Sequence, residues 1–187
     1  MARMKRYDKN IVCLESLWNK DIEQRWSVAP MLQLASSINN IKFIHMTCNT
    51  KEELRHNLRR IRGRSSYGIM YLAFHGKPGL ILLDGCSVSL ESMALYMEGG
   101  FRDRVIHFGS CSTIDVEKAR VRRFIDATGV AMVLGHRRDV NWIEGTALDL
   151  LIMDRLQYYK DMRRFWKSFR ARYRTLVSAT GLRAFHR

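Results

Sequence analysis

Between residues 11 and 135 the chain switches repeatedly between short apolar runs of strand length and longer segments with helical spacing. Ile11 to Leu17, Ile41 to Cys48, Tyr67 to His75, Arg104 to Gly109 and Val130 to Gly135 read as strands, and apolar runs this continuous suit strands covered on both faces. The segments between them read as helices. Asp21 to Ile38 carries apolar residues at 22, 26, 28, 31, 32, 34, 35 and 38, with Pro30 weakening its middle. Thr50 and Glu53 form a capping box that opens a helix to Ile61. Ser89 caps a helix through Met97 that Gly99-Gly100 ends, and a fourth runs from about Val116 to Thr128 before Gly129. Such alternation predicts an α/β fold: a mostly parallel sheet in the flavodoxin-like order, helices on both faces and right-handed crossovers, three layers in all.

Two breaks in this rhythm carry turn chemistry. Gly63 to Ser66 leads into the third strand, while Lys77-Pro78-Gly79, the short run Leu80 to Leu83 and the turn Asp84-Gly85 follow it. From about Ile143 the pattern predicts helix only. Length supports one domain: 187 residues bury a substantial core and are short for two. The expected division is a domain over 1–154 with a basic amphipathic helical extension, 155–187, packed on it.

In an open parallel sheet, side chains just beyond the carboxyl ends of adjacent strands converge on one crevice. His75-Gly76 closes the third strand and Cys111 follows the fourth, so a thiol and an imidazole are expected to meet there. A thiolate is the working nucleophile, and a neighbouring imidazole or a helix N-terminus would favour it; Cys111 also precedes a helix, whose positive end is expected to act in the same direction. The backbone N–H groups of Gly76 and Cys111 lie in the turns where an oxyanion would need donors, and glycine at 76 lets a substrate approach the backbone. The remaining cysteines, Cys13, Cys48 and Cys86, read as structural, with no zinc-ligand spacing and no disulfide framework. His45 and His107 read as packed strand residues, whereas His136 leaves the fifth strand at the edge where the crevice should lie.

The motifs Leu72-Ala73-Phe74-His75-Gly76 and Phe108-Gly109-Ser110-Cys111 resemble the caspase-like cysteine peptidases of clan CD, the match covering roughly residues 10 to 155. The run Gly129 to Gly135, followed by Thr146-Ala147-Leu148-Asp149-Leu150-Leu151, looks most like the CHAT branch of that clan. The resemblance implies a Cys-His dyad endopeptidase with Cys111 as nucleophile, His75 as general acid and base, and the amides of Gly76 and Cys111 as oxyanion donors. It implies no metal and no cofactor, and a regulated role such as bacterial antiviral defence. Caspases carry a glycine two residues after the nucleophile; Cys111-Ser112-Thr113 lacks it, so cleavage after Asp is not expected. Asp139, Glu144 and Asp149 are the candidate pocket carboxylates, favouring basic substrate residues with the lean towards Asp139; Arg137 or Arg138 would favour acidic ones.

The formal charge of +14, from 32 basic and 18 acidic residues, adds anionic partners to the expectations. Between Arg155 and Arg187 apolar residues recur at three- and four-residue steps opposite a basic face. That stretch could dock on the core, self-associate, or bind an anion through Arg163, Arg164 and Arg170, so that a nucleotide-derived ligand activates the protein. Protein substrates are the favoured partners. The alternatives are an inactive module of the same fold holding nucleic acid or a nucleotide, and an unrelated flavodoxin-like ligand binder, for which no Gly-rich phosphate loop is present. Met1 to Arg6 is basic, but no apolar stretch reaches signal-peptide or membrane-span length, which predicts a cytoplasmic protein.

Overall fold

The computed structural model describes residues 5–19, 21, 23, 26–97 and 99–187. Nine strands and seven helices are formed among them. The chain runs β1 (Ile11–Glu15), α1 (Ala29–Asn39), β2 (Phe43–Thr47), α2 (Lys51–Arg62), β3 (Ile69–Ala73), β4 (His75–Lys77), β5 (Leu80–Leu83), β6 (Cys86–Ser89) and α3 (Leu90–Met97). It continues through β7 (Val105–Phe108), α4 (Lys118–Thr128), β8 (Met132–His136), α5 (Trp142–Leu156), α6 (Met162–Arg172), α7 (Arg174–Thr180) and β9 (Leu182–His186).

The main sheet has the order β2-β1-β3-β7-β8-β9, with the first five parallel and β9 antiparallel to β8. Its parallel strands, taken in chain order, follow the doubly wound 2-1-3-4-5 pattern, so the predicted three-layer α/β architecture is the one observed. Every residue of β1, β3, β7 and β8 is buried, which explains the unbroken apolar runs. Alternate side chains enter two separate cores. Val12, Leu14, Met70, Leu72, Ile106, Phe108 and Val133 pack with α2, α3 and α4. Ile11, Cys13, Ile69, Tyr71, Val105, Met132 and Leu134 pack with α1, α5, α6 and α7.

Local chemistry sets several boundaries. Thr50 and Glu53 make the reciprocal capping box of α2, and Gly129 ends α4 in a left-handed conformation. The first helix is shorter than Asp21 to Ile38: α1 begins at Ala29, because Pro30 is tolerated in a first turn and not in a helix interior. Residues 20, 22, 24 and 25, around the first part of that expected helix, lie outside the described residues, as do 1–4 of the basic N-terminus. The third predicted strand is two. β3 stops at Ala73, and His75 opens β4 of a small antiparallel sheet, β4-β5-β6.

The region after Ile143 is not wholly helical. Asp161 caps α6 by accepting from the amides of Arg163 and Arg164, the backbone turns at Tyr173, and left-handed Gly181 releases the chain into β9. The sequence period hid this strand because Leu182-Arg183-Ala184-Phe185-His186 is short and mixed. Met162, Phe165, Phe169, Val177 and Leu182 enter the same core as α1 and α5, and β9 completes the main sheet. Among the described residues no helix is long and apolar enough to cross a membrane.

Candidate functional site

The register of β3 against β7 pairs Ile69 with Val105 and Leu72 with Phe108, an offset of 36. The pairing ends there, and His75 and Cys111 each lie three residues beyond it, in β4 and in the loop after β7. Both residues line one crevice at this edge of the sheet. Cys111 is partly buried, and His75 is exposed at the mouth.

The strand ends are held close by the backbone. A Cβ on Gly76 would stand 2.2 Å from the carbonyl oxygen of Cys111 and 2.3 Å from Oγ1 of Thr113, so no larger residue fits. Ser110 and Thr113 hydrogen-bond through their hydroxyls at 2.7 Å, and Thr113 Oγ1 donates to the carbonyl of Leu80 at 3.0 Å. The loop after β7 is thereby tied to the small sheet that begins at His75. Ser112, next to Cys111, has φ of 55°, a left-handed conformation that a serine holds only under constraint from its surroundings. One expectation fails here. No helix follows Cys111 directly, because residues 111–117 form turns and α4 begins at Lys118, beyond the reach of a helix-end field.

His75 is oriented from the far side of the crevice. Its Nε2 lies 2.9 Å from the carbonyl oxygen of Trp18, which can only accept, so Nε2 carries the proton and the neutral ring keeps its lone pair on Nδ1. The Trp18 indole stands edge-on to the imidazole at 5.1 Å between centroids, and edge-on to Trp142 at 4.8 Å. With Val28 and Val140, these two tryptophans form the apolar walls.

The floor is polar. Gly109 has no side chain, and the Tyr71 ring fills that space, 2.5 Å from where a Cβ would be. The Tyr71 hydroxyl donates to Oδ2 of Asp149 at 2.5 Å, and His107 Nε2 donates to its Oδ1 at 2.5 Å. His136 donates from Nδ1 to the carbonyl of Thr180 at 3.2 Å. Burial alone would raise the Asp149 carboxyl, but the charge and hydrogen bond of His107, with His136 and Tyr71, hold it below its ordinary value. Burial, and then the Asp149 charge, push the Tyr71 phenol well up, and burial lowers His136.

His107, His136 and Asp149 offer ligand atoms within 4.8 Å of one another, which is the grouping among the described residues that could hold a metal ion. Both Asp149 oxygens are already engaged by Tyr71 and His107, so an ion would have to part a 2.5 Å contact to enter. Tyr71, His107 and Asp149 form a hydrogen-bonded network without one, and Nδ1 of His107 is buried with no partner.

Of the carboxylates singled out from the sequence, Asp149 alone lines the crevice, and it is 3 % exposed. Asp139 is exposed and accepts a long 3.5 Å contact from Ser112; Glu144 is exposed in the first turn of α5. Arg137 pairs with Asp115, and Arg138 is exposed. Arg163, Arg164 and Arg170 project from α6, away from the crevice lining. Cys13 and Cys48 are fully buried; burial raises the first thiol well above its usual value and the second to about 12. Cys86 is partly buried in β6. Sequence reading passed over Trp18 and Glu15, which sit in or beside an apolar run; a carboxylate inside a buried strand was the available signal.

No curated protein matches this sequence. A family model spanning residues 8–186 does match, and the chain therefore belongs to that family, described as a family of unknown function, DUF6642.

Proposed function

We propose that the protein is a cysteine endopeptidase of the caspase-like type, with Cys111 as nucleophile and His75 as general acid and base. The observation that supports it most is that His75 and Cys111, past neighbouring parallel strands, line one crevice, with His75 held through Nε2 by a backbone carbonyl. In this reading Nδ1 of His75 takes the thiol proton and the Cys111 sulfur attacks the scissile carbonyl carbon. The resulting oxyanion takes hydrogen bonds from the amides of Gly76 and Cys111, each worth about 3 kcal/mol in the transition state. Its collapse breaks the C–N bond as His75 returns the proton to the leaving amine. Water, deprotonated by His75, then cleaves the thioester and restores the thiol.

A basic residue before the scissile bond is the proposed preference, through Asp139, an exposed carboxylate that reaches Ser112 beside Cys111, since both oxygens of Asp149 are engaged by Tyr71 and His107. A bacterial defence role, activation by a nucleotide-derived ligand and self-association through the C-terminal region belong to the same proposal. They draw support from the CHAT-like motifs and from the exposed arginines of α6.

A fluorogenic peptide panel with peptide-mapped thiol labelling tests the core of the proposal. Cys111→Ala and His75→Ala are each expected to lower hydrolysis by at least about a hundredfold while the fold is kept. Retained cleavage in Cys111→Ala would refute the nucleophile, and cleavage only after Asp or Glu would refute the pocket. The second reading, an inactive module that binds nucleic acid or a nucleotide, is favoured by the charge of +14 and by the hollow in which Lys160, Arg163 and Arg187 outnumber the one acid, Asp161. Salt-sensitive binding that survives Cys111→Ala, with no labelling of Cys111, would replace the first reading with this one.

A further inference from the structure

The last residue of β1, Glu15, is a carboxylate only 4 % exposed. Such a group is costly to bury unless its lone pairs are filled, and here four donors fill them. Oε1 accepts from the indole Nε1 of Trp18 at 2.5 Å and from the backbone amide of Val28 at 2.8 Å. Oε2 accepts from Oγ of Ser27 at 2.7 Å and from Nε2 of His45 at 2.6 Å. Burial pulls the carboxyl upward, but the bonds from His45, Ser27, Trp18 and Val28 outweigh it and leave it below the ordinary range.

The arrangement of these donors is informative. Trp18 lies just after β1 and Ser27 and Val28 just before α1, so one carboxylate gathers two residues that line the crevice, Trp18 and Val28, from the two ends of one connection. Glu15 pairs in register with Ala73, two residues before His75, on the neighbouring strand. Trp18 is also the residue whose carbonyl orients His75 and whose ring stands against it. An unbroken sequence of contacts therefore runs from the Glu15 carboxylate through the Trp18 indole N–H to the His75 imidazole.

We infer that Glu15 is a positioning residue of the crevice: by holding the Trp18 indole it fixes the carbonyl that sets the orientation and tautomer of His75. This rests on the dyad reading and goes beyond it, since Glu15 touches neither reacting group. If Glu15 only fastened the loop to β1 and β2, its loss would lower stability and leave the reactivity that His75 confers on Cys111 untouched.

The experiment measures alkylation of Cys111 by iodoacetamide near neutral pH in the full chain, with the modified residue located by peptide mapping and folding followed by circular dichroism. Wild type is expected to react about tenfold or more faster than His75→Ala. Glu15→Gln keeps the volume and weakens the four bonds; it is expected to remove most of that His75-dependent gain. Trp18→Phe keeps an aromatic ring and deletes the N–H that Glu15 accepts, and is expected to lose as much. The double variant should lose no more than either single one, because both cut the same connection.

The outcomes separate the two ideas. Equal rates in wild type and His75→Ala would end the dyad reading and this inference with it. A His75-dependent gain that survives in folded Glu15→Gln, or losses that add in the double variant, would overturn the inference while the dyad stands. Should Glu15→Gln fail to fold, Trp18→Phe decides: an unchanged gain overturns the inference, and a lost gain supports it.

Discussion

On the face of the main sheet covered by α2, α3 and α4, the central strands present Val12, Leu14, Met70, Leu72, Ile106 and Phe108, all apolar. On the opposite face the same strands, read at the alternate positions, present Cys13, Glu15, Tyr71, His107 and, from β8, His136. Each polar group on that second face is buried, and four of them bond a group from elsewhere in the chain: Glu15 to His45, Tyr71 and His107 to Asp149, and His136 to the carbonyl of Thr180. Apolar packing is indifferent to exact angles, whereas a buried hydrogen-bond network holds its members in one geometry. The first face supplies stability. The second supplies placement, and it is the face whose carboxyl edge opens into the crevice.

That contrast can be broken by substituting one residue on each side. Leu58→Ala, on α2 and 1 % exposed, is expected to cost about 2–5 kcal/mol in denaturant unfolding, yet to leave Cys111 labelling per folded molecule unchanged. A change in labelling would mean that the apolar face also sets the crevice. Asp149→Asn keeps the shape but weakens what Tyr71 and His107 receive; about 1–3 kcal/mol is expected, together with a measurable change in peptide preference. Lost stability with an unaltered preference would reduce the floor to scaffolding.

The smallest effect expected is in pH dependence. Burial keeps the His136 value in the folded state below that of the unfolded chain, so between the two values the unfolded chain binds the extra proton. Stability is then complete above about pH 6.5 and falls as pH drops towards the folded-state value, by at most about 1.4 kcal/mol per pH unit for one proton. The same titration of His136→Gln should be flatter in that range. Glu15 and Asp149, both held low, add their own losses only at more acidic pH, within and below the usual carboxylate range.

Much of the architecture was readable because buried parallel strands produce runs that periodicity detects, and the capping box at Thr50 marks its helix without ambiguity. That His75 and Cys111 would share a crevice beyond neighbouring strands was readable for the same reason, although β3 stops at Ala73 and His75 opens β4. What periodicity cannot see is which polar residue on a buried strand finds a partner from far along the chain. Tyr71 and Asp149 are 78 residues apart, and Glu15 and His45 are 30 apart. Asp139 is exposed beside Ser112, whereas Asp149, inside α5, is turned into the crevice floor, a difference that periodicity does not distinguish. β9 was missed because an antiparallel edge strand after three helices carries little local signal.

The contact between His136 and Thr180 joins partners 44 residues apart, and it depends on β9 lying along β8. Chains are made from the amino end, so the five parallel strands can assemble before residues 174–186 emerge. Until those residues dock, nothing fixes which nitrogen of His136 carries its proton, and the edge of β8 stays open. The return of the chain along β8 thus reaches the crevice through a single ring, that of His136, although no residue of β9 lines it.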